Sequence, residues 1–305
     1  CACLVGSEMC IRDRIQNMIL PFSKSDMSFD EIMDKWPDAV MHYPTYMALS
    51  FHNKNRLKNV SIRWYQSGTY PLQSLNYTYN ELISAEKDAL IFTDANWTLF
   101  ASYLLQYGKG LFNDKKVIFS ALMLTPFSMN ELTEELGIPE FKDADPEFYK
   151  SKTPTMTFAN EMKKRIEHIA KYTKRPIYIS VSTNEAVKNL LKDHLYGEGL
   201  LMRYSSKPYD NLAVMRRNFE NTYLLDYLYE TFYPETLTDV CLDLKGVKML
   251  SIYYVPAFKS LLQFYKESGD VTHYDKLYSL LESIVKKADY YSDEVRERYL
   301  KSINF

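Results

Sequence analysis

The spacing of apolar positions changes its grammar along this chain. From Asp88 onward, short apolar runs alternate with amphipathic stretches. Residues 89–93 (Ala-Leu-Ile-Phe-Thr) form the kind of run expected of a buried strand. After Asn96, the residues Trp97, Phe100, Ala101, Leu104 and Tyr107 then recur at helical spacing up to Gly108. A second strand is predicted over 116–124, stopped by Pro126, and a capping box of Ser128 with Glu131 opens a helix carrying Leu132 and Leu136 as far as Gly137. A polar loop over 138–154 holds Asp143, Asp145 and Pro146, and Met156, Ala159, Met162, Ile166 and Ile169 predict the next helix. Residues 176–181 read as a third strand. Ser182 and Glu185 form another capping box before Val187, Leu190, Leu191 and Leu195, and 200–204 read as a fourth strand reached through Gly197 and Gly199.

Strands alternating with helices imply a mostly parallel sheet covered on both faces, because parallel neighbours need a crossover connection. The expectation is a Rossmann-like α/β domain over 60–207, preceded by a helical segment over 15–59. In that segment Ser28 and Glu31 form a capping box before Ile32, Met33 and Trp36, and residues 42–51 read as a helix; beyond it, 60–64 read as a strand and 70–84 contain a further helical stretch. Beyond Pro208 the strand signal fades. Leu212, Met215, Phe219, Tyr223 and Tyr227 predict one long amphipathic helix running to Phe232 and closed by Pro234. Residues 255–288 read as two helices broken at Gly269 and Asp270, which resembles one tetratricopeptide unit. A single unit cannot bury a continuous core by stacking. The 208–305 region is therefore expected to be a helical cap on the α/β core.

Composition removes several function classes. With 37 basic and 39 acidic residues and a net charge of -2, the chain has no electrostatic footprint for nucleic acid. Its longest apolar run, 117–124, is far below the ~20 residues needed to span a bilayer. The first fourteen residues are set aside, since Glu8 to Asp13 (Glu-Met-Cys-Ile-Arg-Asp) resembles the translated end of a transposase adapter from DNA library preparation. That leaves Cys241 as the one remaining thiol, so neither an internal disulfide nor a cysteine-based zinc site is available. The abundance of Tyr, at 26 residues, fits glycan or protein binding, but Tyr, Lys, Asn and Ile are enriched together in AT-rich coding sequence as well.

In an open parallel sheet, ligands collect beyond the carboxyl ends of the strands. Those ends are Thr93, Asp94, Asn96 and Trp97 after the first strand, Thr125 after the second, and Ser182 and Thr183 after the third; of these, Asp94, Asn96, Trp97, Thr125 and Ser182 are the candidate ligand-binding residues. Asp94 and Asn96 can hydrogen-bond a polar ligand while Trp97 stacks on a sugar ring; equally, either of the first two can N-cap the following helix. The loop over 93–98 lacks glycine, so it cannot wrap backbone amides around a phosphate, and no nucleotide or other cofactor is expected. The five histidines (His42, His52, His168, His194 and His273) lack metal-ligand spacing. Neither a His-Glu-x-x-His nor a Gly-x-Ser-x-Gly motif occurs, so no catalytic residue and no metal site is assigned.

The block Asn80-Glu-Leu-Ile-Ser84, 88–94, 97–106 and 115–119 with 122–124 resembles the soluble C-terminal part of bacterial multi-pass membrane proteins described as protein O-mannosyltransferase-like. A second block, 175–181 with 195–203, resembles the later part of that domain in the same order and spacing. Where that family tends to carry Asp-Asn-Asp-Thr after the first strand, this chain has Asp94-Ala95-Asn96-Trp97-Thr98, which lacks the second acid. The resemblance implies an extracytoplasmic, periplasmic domain without catalytic residues of its own. It would be partnered by an N-terminal membrane region that carries the catalytic acid, and would bind glycan or acceptor protein or brace the membrane portion. Two other readings stand beside it: a free-standing interaction module that docks through the helical region, and a small-molecule α/β enzyme using the strand-end pocket.

Overall fold

The computed structural model describes residues 50–142, 154–229 and 250–287, together with Glu31, Tyr43, Met47, Glu294 and Glu297. The helix expected over 28–36, most of that over 42–51, and Asp143 and Asp145 lie outside the described residues. Within them the chain is a mixed α/β structure with one five-stranded, mostly parallel sheet and helices on both faces.

The first described helix, α1 (Lys54–Gln66), overturns the strand expected over 60–64. The β-branched run around Val60 suggested a strand, but Leu57, Val60, Ser61 and Trp64 share one buried helical face. Asn53 fixes the start by accepting the Arg56 N–H at 3.0 Å. Trp64 is sandwiched between Tyr43, stacked at 5.5 Å, and the edge of Tyr70 at 4.9 Å. The expected domain boundary at 59/60 falls inside this helix.

After α2 (Leu72–Ser84), the chain enters β1 (Leu90–Thr93), buried at every position. Next come α3 (Asn96–Tyr103), a π-helical turn (Leu104–Gly108) and β2 (Lys116–Phe119). A side chain at Gly108 would place its Cβ 2.5 Å from that of Tyr65, so the π turn lies directly against α1. The strand expected over 116–124 stops at Phe119, because Ser120 begins the short helix α4 (Ser120–Met123) and donates its hydroxyl to the Thr93 carbonyl at 3.2 Å. Helix α5 (Pro126–Leu136) is N-capped by Thr125 with Pro126 at its first position, rather than by the expected Ser128. Gly137, in the left-handed region at φ 64°, closes it.

Helix α6 (Pro154–Tyr172) leads to β3 (Ile177–Ser180) and α7 (Glu185–Leu191). Asn184, not Ser182, caps α7, its side chain accepting the Ala186 N–H at 2.8 Å. A hairpin of β4 (Leu195–Gly197) and β5 (Leu201–Tyr204) completes the sheet in the order β2-β1-β3-β5-β4. β1 pairs in parallel with β2 and β3, and β5 runs antiparallel between β3 and β4. The three residues of β4 are too few to show a periodicity.

One face of the sheet (Leu90, Phe92, Ile118, Ile177 and Ile179) packs on α5, α6 and α7 through Leu132, Ile166, Val187 and their neighbours. Arg165 fastens α6 there. It is 2 % exposed, donates to the Met123 carbonyl at 2.9 Å, pairs with Glu161 at 2.5 Å and lies 4.7 Å over the Phe141 ring. The opposite face (Ile91, Val117, Tyr178 and Leu201) packs on Leu82 of α2 and on Leu99 and Leu105.

The single helix expected over 212–232 is broken into α8 (Asn211–Arg217), a π turn (Asn218–Thr222) and a 3-10 turn (Asp226–Tyr229). The reason is competition for backbone groups. Asn80 of α2, fully buried, donates to the Leu224 carbonyl and accepts the Leu224 N–H, both at 2.8 Å, so Leu224 has nothing left for a helical ladder. Asn218 likewise donates to the Glu198 carbonyl at 2.8 Å, and the Tyr223 hydroxyl accepts the Leu200 N–H at 3.2 Å. Gly199, at φ 124°, makes room for that hydroxyl, which would sit 2.5 Å from any Cβ there.

A 3-10 turn (Leu250–Tyr254) enters α9 (Val255–Ser268), and α10 (Val271–Lys287) returns beside it after Gly269 at φ 72°, as the sequence break indicates. These helices bury Phe258, Leu261, Leu281 and Ile284 in a core shared with Tyr77 of α2 and Leu200. The helical region therefore covers the α/β part.

Replacing Asn80 by Ala strands the Leu224 peptide groups and takes from the Tyr254 hydroxyl the donor that Asn80 supplies at 2.8 Å, leaving it Tyr227 alone. The expected loss is about 2–4 kcal/mol in urea unfolding, with earlier proteolytic cutting between Leu224 and Tyr229.

Candidate functional site

Because β2 and β3 lie on opposite sides of β1, the strand order switches at β1, and the loops that follow β1 and β3 diverge from neighbouring strand ends. The sequence-predicted residues distribute unevenly around that point. Asp94 and Ser182 are brought together there; Thr125 is not.

Asp94 reaches across the switch to the residue that caps α7, its Oδ2 accepting the Asn184 N–H at 2.7 Å. Its Oδ1 is buried without a hydrogen bond. Burial raises its pKa, against the pull of the Ser120 hydroxyl, the Asn184 amide and the Lys188 charge. Helix α3 is capped by Ala95 without side-chain help, so neither Asp94 nor Asn96 serves as its N-cap. Asn96 is simply the half-buried first residue of that helix.

Trp97 belongs to the protein's own packing. Its ring stacks on Tyr253 at 6.3 Å and meets the face of Tyr77 at 6.2 Å, and its carbonyl accepts the Tyr70 hydroxyl. Thr125 is an exposed N-cap on the β2 side, accepting the Ser128 N–H at 3.3 Å and donating to the Leu122 carbonyl at 2.9 Å.

Three residues absent from the sequence-based candidates, Glu81, Ser180 and Thr98, complete the cluster with Thr93 and Ser182. The Ser180 hydroxyl donates to Glu81 Oε1 at 2.5 Å and lies 2.8 Å from the Ser182 hydroxyl. Ser182 reaches Thr93 at 3.5 Å, and Thr93 and Thr98 share a hydrogen bond at 2.8 Å. The result is a chain of hydroxyls that starts at a carboxyl and crosses from β3 to β1. Glu81 is 3 % exposed; burial pushes its pKa up to about 8, with the Ser180 and Tyr77 hydroxyls pulling the other way. At neutral pH the group is therefore mainly protonated. The missed signal lies in α2, where Ser74, Thr78, Glu81 and Ser84 form a stripe at helical spacing that reads as a solvated face, yet every one of them is buried.

This arrangement can hold and pass a proton, but it offers a ligand little room. Thr93, Thr98 and Ser180 are each at most 1 % exposed, and Tyr77, Trp97 and the C-terminal helices lie over α2 and the strand ends. Among the described residues no group of histidines, cysteines and carboxylates is placed to hold a metal. His52 instead pairs with Glu131 at 3.0 Å, His168 bonds the Pro139 carbonyl at 2.7 Å, and His194 packs against Tyr204 as a half-buried structural residue. An open concavity lies elsewhere, as a groove of about 930 Å³ along β2.

The raised Glu81 pKa fixes the sign of a pH effect. Between about 4.5 and about 8 the folded chain holds a proton that the unfolded chain has released, so this group costs stability as pH rises through that window. Glu81→Gln removes the dependence while keeping an acceptor for Ser180. Its stability relative to the parent should improve by roughly 1.4 kcal/mol per pH unit across the window, measured by urea unfolding at pH 5, 6.5 and 8. Parallel pH profiles for the two proteins would show that Glu81 is ionised in the fold.

No family model, curated protein or solved structure matches this chain.

Proposed function

We propose that this chain is a noncatalytic, extracytoplasmic domain of a membrane glycosyltransferase-like protein, built as a Rossmann-like core under a tetratricopeptide-like helical cap. In this reading it serves to bind an acceptor and to brace the membrane portion. One observation carries the noncatalytic part. The strand-end crevice, where an α/β enzyme of this strand order would hold substrate, is filled by the protein's own Glu81, Ser180, Thr93 and Thr98 and covered by Tyr77 and Trp97. The periplasmic placement and the membrane partner come with the sequence resemblance. Among the described residues no helix is long and apolar enough to cross a membrane, which suits a domain carried by a separate membrane region.

A second reading keeps the strand-end cluster as an enzyme site, favoured by the buried, proton-holding Glu81 beside a chain of hydroxyls. Burial argues against it, since a general acid needs hydrogen-bond reach to a bound substrate.

The two separate in one assay. The isolated chain, offered nucleotide-activated and lipid-linked sugar donors with acceptor peptides, and separately aryl glycosides, should give no turnover above a protein-free blank. Turnover abolished by Glu81→Gln or Asp94→Asn would overturn the noncatalytic reading. Reading the genomic DNA upstream of residue 15 tests the setting, with a continuous frame encoding many apolar segments as the expected result.

A further inference from the structure

Among the described residues β2 is an edge strand, and its free side is recessed. The Lys116 N–H bonds the Ala89 carbonyl at 2.9 Å, and the register pairs Lys116 with Leu90 and Ile118 with Phe92. In a parallel ladder this turns the peptide groups of Lys116 and Ile118 toward β1. Alternation along the strand then aims the Val117 N–H, the Val117 carbonyl and the Phe119 N–H at the open edge, where they meet no partner among the described residues. Val117 is only 7 % exposed, so these groups lie at the floor of the groove and not on an outer rim. Buried backbone groups are rarely left unpaired.

The walls of the groove come from opposite faces of the sheet. Tyr103 and Tyr107, stacked at 6.1 Å, stand on one side, and Leu122 and Leu132 of the α4–α5 segment on the other. Its charges nearly balance, since Lys54 and Arg175 are offset by Asp88 and Glu134 and the others pair directly. Lys115 pairs with Asp114 at 2.9 Å, Lys116 with Glu135 at 2.7 Å and His52 with Glu131 at 3.0 Å.

We propose that the groove receives an extended peptide segment of a partner protein, added beside β2 as a sixth strand. The proposal deepens the acceptor-binding role given above by naming the acceptor's chemistry, and rests on it for biological setting only. Two donors and an acceptor at strand spacing match the alternating carbonyls and amides of another strand, which sugar hydroxyls do not reproduce. The occupant is a neutral segment whose side chains alternate between the tyrosine wall and the leucine wall. A second copy of this chain does not fit, because its own β2 lies at the bottom of an identical groove and two recessed edges cannot meet.

The test uses the whole chain, labelled with nitrogen-15, and the probe acetyl-Thr-Val-Thr-Val-Thr-amide. Titration should shift the Val117 and Phe119 amide signals and slow their hydrogen exchange at least five-fold. Methylating the backbone nitrogen of each Val in turn should weaken binding at least five-fold in one of the two analogues. On the protein side, Phe119→Pro removes one donor at a position whose φ of −80° proline tolerates, and should weaken binding by a similar factor. The methylated peptides keep the question open to refutation even if that variant folds poorly. Absence of binding at millimolar peptide overturns the proposal, as does binding that leaves the Val117 and Phe119 amides unmoved or ignores both methylations. Either failure leaves the noncatalytic reading standing, since that reading is decided by turnover.

Discussion

The pairing of the Asn80 amide with the Leu224 peptide decides how this molecule is assembled. A primary amide carries one acceptor and two donors in the same plane, so it can mimic a neighbouring backbone and close both groups of one residue at once. It does so from the middle of α2, which packs Leu82 against the sheet and Tyr77 against the C-terminal helices. Each hydrogen bond contributes a net ~1 kcal/mol, but leaving the buried partners unmade costs more than that, so the amide specifies position more than it adds stability. The second donated bond reaches the Tyr254 hydroxyl, which lies 3.0 Å from that of Tyr227, so the register of α2 also governs where the chain enters α9.

The far side of the sheet depends on a different device. Arg165 and Glu161, one helical turn apart on α6, bury an ion pair whose remaining capacity goes to the Met123 carbonyl and to Lys164. Desolvating such a pair consumes most of its Coulombic gain, so it adds little net stability. Its value is directional. The planar guanidinium holds α6 at one height against the end of α4 and seats on the Phe141 ring, which defines the layer over Leu90, Phe92 and Ile179.

The alternation of strands and helices was legible because β1 and β3 are buried on both faces and read as unbroken apolar runs, while α9 and α10 are separated by a glycine at positive φ. What was not legible depended on tertiary partners. Val60 and Ile62 suggest a strand until Trp64 finds Tyr43 and Tyr70. The helix through Phe219 stays continuous in pattern until Asn80 takes the peptide groups of Leu224. Of the candidate ligand residues, Asp94 and Ser182 were found by the rule that places sites at strand ends. Glu81 escaped because a carboxylate in a polar stripe looks solvated from sequence alone; only the helices stacked above it make it a buried acid.

That acid changes the charge the folded chain presents. The sequence count of -2 treats every carboxyl as ionised, yet the buried Glu81 keeps its proton at neutral pH, leaving the native molecule about one unit closer to neutrality than its own unfolded chain. Folding therefore draws a proton from the buffer between about pH 4.5 and about 8. Folded and unfolded populations thus differ in electrophoretic mobility through charge as well as through size.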